Sequence, residues 1–262
     1  MSSASQSRSV HDPSSAATTA FKINFKLREI DHIEPWGEPG KRSLHWFGLT
    51  DGAYCFDTSV GRLLEHTDAV DPDFGEPWCE YQVVRLFEDL TEIWPRVSEP
   101  VPIDVVTRYL AWAAREGERF SNTDDPDLRE TWYEMSSWWL DRRLDFSYLR
   151  PAPQFHLWRM GADAHFEWRA SAPWLPPVAA FSLPFESARN AVDSFFQEFV
   201  AAMDERVETI RRSGWQPVDA MLDIPALVAE EKQRRKVAAS PFSHLGETDW
   251  QLIRARLKEL GA

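Results

Sequence analysis

Three tryptophans fall within eight residues of the segment WYEMSSWWLDRR, which begins at Trp132. At about 100° of rotation per residue, Trp132, Met135 and Trp139 form one apolar stripe of a helix spanning about residues 127–144. Trp138 lies on a different side of the same helix. Large rings on two sides predict a helix wedged between neighbouring elements, because aromatic residues at helical spacing are usually core residues. In the alternative interpretation, Trp138 is exposed and contacts a partner.

Alternating apolar and polar residues predict strands in the first half of the chain. The segment FKINFKLREI, from Phe21, has the two-residue period of a strand with one buried face. The segment LHWFGLTDGAYCFDT, residues 44–58, is predicted to form a hairpin. Its turn is placed at Asp51-Gly52, since this dipeptide readily adopts the positive backbone angles of a tight turn.

A second hairpin is predicted in QFHLWRMGADAHFEWRA, residues 154–170, with its turn near Gly161. If Leu157 lies opposite Trp168, alternate side chains divide into two faces. The core face then holds Phe155, Leu157, Phe166 and Trp168. The other face holds His156, Trp158, Met160, His165, Glu167 and Arg169. A loop longer or shorter by one residue would regroup these side chains.

Further apolar stripes predict helices around these strands. One stripe runs from Val83 and stops at Pro95, and another follows Pro102 and includes Ile103. The longest begins at Phe185 and is ended by Gly214, after a short strand in AFSLPF. These patterns predict an α+β fold in which an antiparallel sheet built from hairpins packs against several amphipathic helices.

The predicted organisation has three regions. Residues 1–20 read as a disordered Ser-rich tail, residues 21–215 as a single α+β domain, and residues 216–262 as a charged linker helix followed by an amphipathic terminal helix. That last helix is expected to dock on the body of the protein or on a second copy, which would give a homo-oligomer. Neither a signal peptide nor a membrane span is recognised, and the two cysteines have no C-x-x-C spacing. A cytoplasmic protein without a membrane association, a disulfide framework or a thiolate metal site is expected.

The net charge of -13 argues against a nucleic-acid partner and favours a basic one. Residues 65–92 contain nine acidic residues and one base, Arg85. The candidate partner-binding residues in this stretch are Asp68, Asp71, Asp73 and Glu76, together with Trp138 from the aromatic helix. The alternative is a solvated acidic loop and helix face.

No standard catalytic or cofactor-binding signature is recognised, so neither a cofactor nor a metal is expected. A scattered site is conceivable on the second hairpin, where His156, His165, Glu167 and Arg169 would share a face. A carboxylate beside an imidazole fixes the tautomer and raises the basicity of the ring, which suits proton transfer. The alternative is a sheet surface of mixed charge.

Another charged group follows the aromatic helix. Arg142 and Arg143 lie beside its apolar stripe, between Asp141 and Asp145. Guanidinium groups bind carboxylate or phosphate as planar forks, so these arginines are candidates for an anion or partner contact. Buried arginines paired with acidic residues are the alternative.

The amino-acid sequences of several segments resemble those of a protein family. LHWFGLTDGAY, YQVVRLFEDL, WWLDRRLDFSYL, PQFHLWR and AFSLPFESA, in this order, resemble a bacterial domain family of unknown function met as tryptophan-rich hypothetical proteins. The resemblance covers roughly residues 21–215, and the terminal TDWQLIRARLKEL is similar to the tail of the same proteins. It implies a soluble bacterial α+β protein, of a kind often found as immunity partners of secreted toxins, and it assigns no catalytic residue.

Two functions are therefore expected as alternatives. The first is a non-enzymatic binding protein, such as an immunity-type inhibitor, that meets a basic protein partner through its acidic segment. The second is a hydrolase or transferase with a scattered His/Glu/Arg site on the second hairpin.

Overall fold

The computed structural model describes residues 21–67, 70–121, 123–217, 220–239 and 247–261. The fold of the described residues is α+β, as predicted, with six α-helices and several antiparallel sheets. The expected N-terminal tail, residues 1–20, lies outside the described residues.

The strands in chain order are β1 (Lys22–Leu27), β2 (Arg42–Leu44), β3 (Gly52–Thr58), β4 (Gly61–Leu63), β5 (Glu65–His66), β6 (Cys79–Glu80), β7 (Gln154–Met160), β8 (Asp163–Arg169), β9 (Trp174–Leu175), β10 (Val178–Pro184) and β11 (Ala220–Leu222). The α-helices are α1 (Val83–Ser98), α2 (Ile103–Ser121), α3 (Pro126–Leu140), α4 (Phe185–Ser213), α5 (Ile224–Ala239) and α6 (Trp250–Glu259). The sheets are antiparallel except for the pairing of β2 with β11, which is parallel.

The first sheet is built around β3, which pairs with β1, β4 and β6. The predicted alternation of β1 is present, since Phe21 and Ile23 are buried while Lys22 and Lys26 are exposed. The apolar face of β1 packs on α4, where Phe25 meets two phenylalanine rings edge-on. This sheet and α4 therefore enclose one side of the main core.

The predicted hairpin at residues 44–58 is wrong. A 3-10 turn at Gly48–Thr50 separates the two halves, β2 pairs in parallel with β11, and β3 instead forms a hairpin with β4. Gly52 does not supply a tight turn. A side chain at its Cα would lie 2.3 Å from the backbone oxygen of Lys26, so the glycine is needed for the close approach of β1.

The second predicted hairpin is present as β7 and β8, and β10 adds a third strand. Leu157 lies opposite Phe166 rather than Trp168, which shifts the pairing by two residues. A shift of two keeps every side chain on its predicted face, because the strand period is two. The predicted core face is confirmed, since Phe155, Leu157, Phe166 and Trp168 are all buried.

The helices follow the predicted order, with two local differences. Pro95 lies inside α1, which continues to Ser98 instead of stopping there. In α2 the predicted stripe is confirmed at Val106, which is buried beside Val105 and Trp112, but Ile103 at the start of the helix is 66% exposed. The long helix α4 begins at Phe185 and ends at Gly214, whose φ of 63° gives the expected left-handed C-cap.

A second, smaller core forms around α3. Met135, Trp138 and Trp139 pack with α2, with Trp158 of β7 and with Ile253 of α6. Trp138 is only 1% exposed, so the alternative of an exposed ring that contacts a partner is wrong. Helix α3 is enclosed because α6 packs against it and helps to cover Trp138.

The C-terminal region packs on the body of the protein. β11 extends β2, Arg234 and Arg235 of α5 form ion pairs with Glu88 of α1 and Asp204 of α4, and α6 lies against α2 and α3. The helix read as a linker is thus a packed helix. The apolar face of α6 is used within the chain, which removes the basis for the expected homo-oligomer through this helix.

Candidate functional site

The polar face of the second hairpin gathers the predicted catalytic candidates, but His156 is closed off. His156 is 6% exposed and its ring stacks on Trp139, with centroids 4.2 Å apart. Burial, reinforced by the positive charges of Arg143 and Arg169, lowers the pKa of His156 to about 3. The ring is therefore neutral at physiological pH and contributes to the packing of α3.

The other candidates on this face have their own partners. His165 stacks on Trp158 across the hairpin at 5.5 Å, and the Glu167 carboxylate accepts hydrogen bonds from Arg169. Glu167 lies opposite His156 in the strand pairing. Among the described residues, no group of three or more His, Cys, Asp or Glu side chains could hold a metal ion. The arrangement is that of a packed polar sheet face.

The acidic segment folds back onto the first sheet, where Arg28 gathers four carboxylates. The guanidinium of Arg28 donates to Asp51 at 2.8 Å, to Asp71 at 2.8 Å and to Asp73 at 2.6 Å, and lies 3.6 Å from Glu80. The same guanidinium lies over the buried ring of Phe74, 4.8 Å from its centroid. Arg28 therefore fixes the acidic loop against β1.

A second arginine, Arg62 of β4, has the same role nearby. It contacts Asp57 at 2.8 Å, Glu65 at 3.1 Å and Glu76 at 3.7 Å. The ring of Trp78 lies between the two groups and receives both Arg62 and Lys26 on its π-system. We call the seven carboxylates of both groups the acidic surface: Asp51, Asp57, Glu65, Asp71, Asp73, Glu76 and Glu80.

The acidic surface is not neutralised by its own cations. Seven carboxylates surround Arg28, Arg62 and Lys26, which leaves four negative charges in excess when all groups are ionised. The pKa of Asp71 is lowered because Arg28 donates to it. The pKa of Glu80 is raised, first by burial and then by the neighbouring Asp71 carboxylate. The crowding of like charges is thus only partly relieved.

A groove of about 380 Å³ adjoins the acidic surface and shares Arg28 and Asp51 with it. Trp36 lines this groove and is 44% exposed, with its ring set edge-on against His45 and Phe47. The backbone of Trp36 pairs with Ser43, and Ser43 pairs on its other side with Met221, which is 77% exposed. An exposed tryptophan ring therefore lines the same groove as Asp51 of the acidic surface.

The predicted partner-binding residues are divided by the fold. Asp71, Asp73 and Glu76 come together on the acidic surface, Asp68 lies outside the described residues, and Trp138 is buried in the second core. The sequence interpretation missed Arg28, Arg62 and Trp36. A signal existed only for Trp36, since a tryptophan between Pro35 and Gly37 is placed in a loop rather than in a core element.

The arginine pair after the aromatic helix also divides. The side chain of Arg142 has no exposed surface and pairs with Glu99 at 2.9 Å. For Arg142, the alternative prediction of a buried arginine paired with an acidic residue is therefore confirmed. Arg143 instead lines a cleft between α1 and the end of α3, and Asp141 and Asp145 line it too. The cleft therefore holds three of the four charged residues that the sequence grouped.

Comparison with known proteins places the chain in a family. The sequence model of a family of unknown function, DUF5984, matches residues 22–256. The chain belongs to this family. The predicted resemblance to a family of unknown function is thereby confirmed, and the DUF5984 match extends beyond residue 215 through α5 and most of α6.

The DUF5984 match includes the whole acidic surface, the groove beside Trp36 and the second hairpin. Its description assigns no activity to any of them. Neither a curated protein nor a solved structure matches the chain. Within the described residues, no helix has the length and apolar character needed to cross a bilayer.

Proposed function

We propose that this protein is a non-enzymatic binding protein that receives a basic protein partner on its acidic surface. The observation that carries the proposal is the excess of seven carboxylates over three cations, held in fixed positions beside an exposed tryptophan. An immunity-type inhibitor of a basic toxin, acting in the bacterial cytoplasm, is the form of this function that we favour.

The fixed positions of the carboxylates support recognition. Side chains already ordered by Arg28 and Arg62 lose little conformational entropy when a partner arrives. A lysine or arginine of the partner would replace the missing cation and relieve the repulsion between Asp71 and Glu80. Excess charge of one sign also accelerates encounter with a partner of opposite sign, by about 10- to 1,000-fold at low ionic strength.

The groove beside Trp36 supplies the apolar portion of the interface. Binding energy in protein interfaces is concentrated in a few aromatic and arginine residues within desolvated pockets, and the charged rim contributes mainly to rate and specificity. Trp36 and Met221 are both exposed on the small sheet formed around β2, and Trp36 lines the groove together with Arg28 and Asp51. Trp36 is therefore the expected anchor.

The test uses the tagged full chain to recover partners from its own host at about 0.05 M and about 0.5 M salt, since screening weakens charge contacts. The expected partner is a basic protein that is retained at low salt and lost at high salt. The double reversal Asp73→Lys with Glu76→Lys should abolish its recovery, and Trp36→Ala should weaken binding about tenfold or more. The matched control is Glu130→Lys, on an exposed position of α3. Undiminished recovery by the double reversal would refute the proposed surface.

A hydrolase or transferase site on the second hairpin is the other function considered. Its support is limited to the shared strand face, because His156 is buried and neutral and Glu167 is paired with Arg169. No observation on the described residues favours it over the binding function.

A further inference from the structure

The cleft between α1 and the segment after α3 has features that the proposed binding surface does not explain. It encloses about 350 Å³ and is lined by Asp89, Glu92, Ile93, Arg96, Leu140, Asp141, Arg143 and Asp145. This volume lies at the lower end of the range found for small-molecule sites, roughly 300–1,000 Å³. None of these residues belongs to the acidic surface.

Asp89 is the buried group of this cleft. It is 5% exposed, and its Oδ2 accepts a hydrogen bond from the phenol of Tyr148 at 3.2 Å. The Tyr148 oxygen lies 3.1 Å from that of Tyr54, which is fully buried behind it. Burial raises the pKa of both phenols, so each keeps its proton at neutral pH, and Tyr148 donates to Asp89 while Tyr54 donates to Tyr148.

The second oxygen of Asp89 remains available. Within the portion of the chain that the structure describes, no donor is found for Oδ1, which is not one of the fully buried side-chain atoms and belongs to a residue that lines the cleft. Buried carboxylate oxygens in folded proteins are normally satisfied by a donor. A donor group that enters the cleft can therefore reach Oδ1.

The charge of the lining selects the sign of the ligand. Four carboxyl groups and two guanidinium groups line the cleft, so two negative charges are in excess when all are ionised. The guanidinium of Arg96 lies 3.8 Å from the carboxylate of Asp141, so these two charges partly neutralise each other. Arg143 forms no ion pair with a carboxylate of the described residues. A cation is attracted to the lining as a whole, and a carboxylate could be accepted only beside Arg143.

We propose that this cleft binds a small ligand carrying an ammonium or guanidinium group, which donates to Oδ1 of Asp89. The charged groups facing Asp89 are Arg85, Glu88, Glu92 and Arg96 from α1, and Asp141, Arg143 and Asp145 from beyond α3. Burial raises the pKa of Asp89 to about 7, against the opposing effect of Arg85. The ligand cation stabilises the ionised carboxylate, so binding strengthens as the pH rises through 7.

The test titrates the full-length protein with agmatine, which carries an amine and a guanidinium but no carboxylate, by calorimetry at pH 8. Saturable binding is expected, and Asp89→Asn, which preserves the shape of the side chain, should weaken it at least tenfold. In the unsubstituted protein the affinity should fall about tenfold between pH 8 and pH 6, with no such change in Asp89→Asn. Arginine should bind more tightly than agmatine if Arg143 receives a ligand carboxylate.

Two control variants separate this site from the rest of the protein. Asp73→Asn, on the acidic surface, and Glu130→Gln, on α3, should both leave agmatine binding unchanged. Thermal unfolding of each variant verifies that it is folded. The proposal is overturned if neither agmatine nor arginine binds, if Asp89→Asn binds them as well as the unsubstituted protein, or if inorganic phosphate binds in the cleft and agmatine does not.

Discussion

The guanidinium of Arg142, with no exposed surface, donates to Oε2 of Glu99 at 2.9 Å. Glu99 lies just beyond α1, and its Oε1 accepts from the backbone N–H of Thr248 at 2.9 Å and from the indole N–H of Trp250 at 3.2 Å. The ring of Trp250 in turn lies over the Arg142 guanidinium, at 5.4 Å. One ion pair, with Arg142 fully buried and Glu99 largely buried, thus joins the end of α1, the segment after α3 and the start of α6.

Replacing Glu99 should destabilise the fold strongly. Glu99→Gln leaves the charge of Arg142 buried without its partner, which typically costs about 3–5 kcal/mol. The free energy of unfolding in urea measures this loss, with Glu130→Gln on the exposed face of α3 as the matched control. A loss in Glu99→Gln no larger than that of the control would show that Arg142 is satisfied by its bond to the backbone oxygen of Trp138.

The stability of the protein should depend on pH through His156. Its pKa is lowered to about 3 in the folded state, from 6.5, mainly by burial. Between these values the unfolded chain binds the proton more tightly, so His156 lowers the free energy of unfolding as the pH falls from about 6.5 towards 3. The slope is at most about 1.4 kcal/mol per pH unit. Asp89 has the opposite effect, because its folded pKa is raised to about 7, and stability from this group is lost as the pH rises towards 7.

The variant His156→Phe isolates the histidine contribution. A phenyl ring keeps the stacking on Trp139 and binds no proton. The difference in unfolding free energy between the unsubstituted protein and His156→Phe, measured from pH 7 to pH 4, should shift steadily in favour of the variant as the pH falls. A difference that is constant with pH would mean that His156 becomes protonated in the fold at an ordinary pKa.

A methyl group at position 52 should push strand β1 away from β3 in the first sheet. In Gly52→Ala the new Cβ would lie 2.3 Å from the Lys26 backbone oxygen and 2.9 Å from Val83 Cγ2. Overpacking of this kind costs about 1–3 kcal/mol or more. In the control Gly48→Ala, the Cβ meets only the side-chain end of Leu44, so the loss should be smaller. Equal midpoints of thermal unfolding for the two variants would contradict the close approach of β1.

Truncation of two tryptophans should reduce the free energy of unfolding by very different amounts. Trp138→Ala removes a buried ring and should cost about 3–5 kcal/mol of unfolding free energy. Trp36→Ala removes a ring that is 44% exposed and should cost less than about 1 kcal/mol, while it weakens partner binding. Chemical denaturation of both variants tests the assignment. If Trp36→Ala proved as destabilising as Trp138→Ala, the groove would belong to the core rather than to a contact surface.

Much of the architecture follows from local sequence patterns. The two-residue period of β1, β7 and β8 specified which side chains are buried. The predicted partner of Leu157 was wrong by two residues, but a shift of two residues leaves every side chain on the same face of the sheet. The apolar stripe of α4 and its C-terminal cap at Gly214 were also predicted correctly from the local sequence. Periodicity is a property of the local backbone, so it can be read without knowing the partner of each element.

The pairing of Gly52 and the exposure of Ile103 could not be read in this way. Asp51-Gly52 satisfies the rule for a tight turn, yet the close approach of β1 decides its conformation. Helices α3 and α6 cover Trp112 of α2 and leave Ile103, its first residue, exposed. In both cases a long-range contact outweighs a local preference, as tertiary packing commonly does.

The sequence by itself determined the α+β class, the identity of most core faces and the negative charge of residues 65–92. Only the tertiary structure decided what that charge does. Arg28 lies 45 residues before Asp73 in the chain, and only folding brings the guanidinium and the carboxylate within ion-pair distance. In the same way, Asp89 is an ordinary helix residue until Tyr148 and the end of α3 enclose it. Electrostatic interactions depend on separation and burial in space, which one-dimensional spacing does not specify.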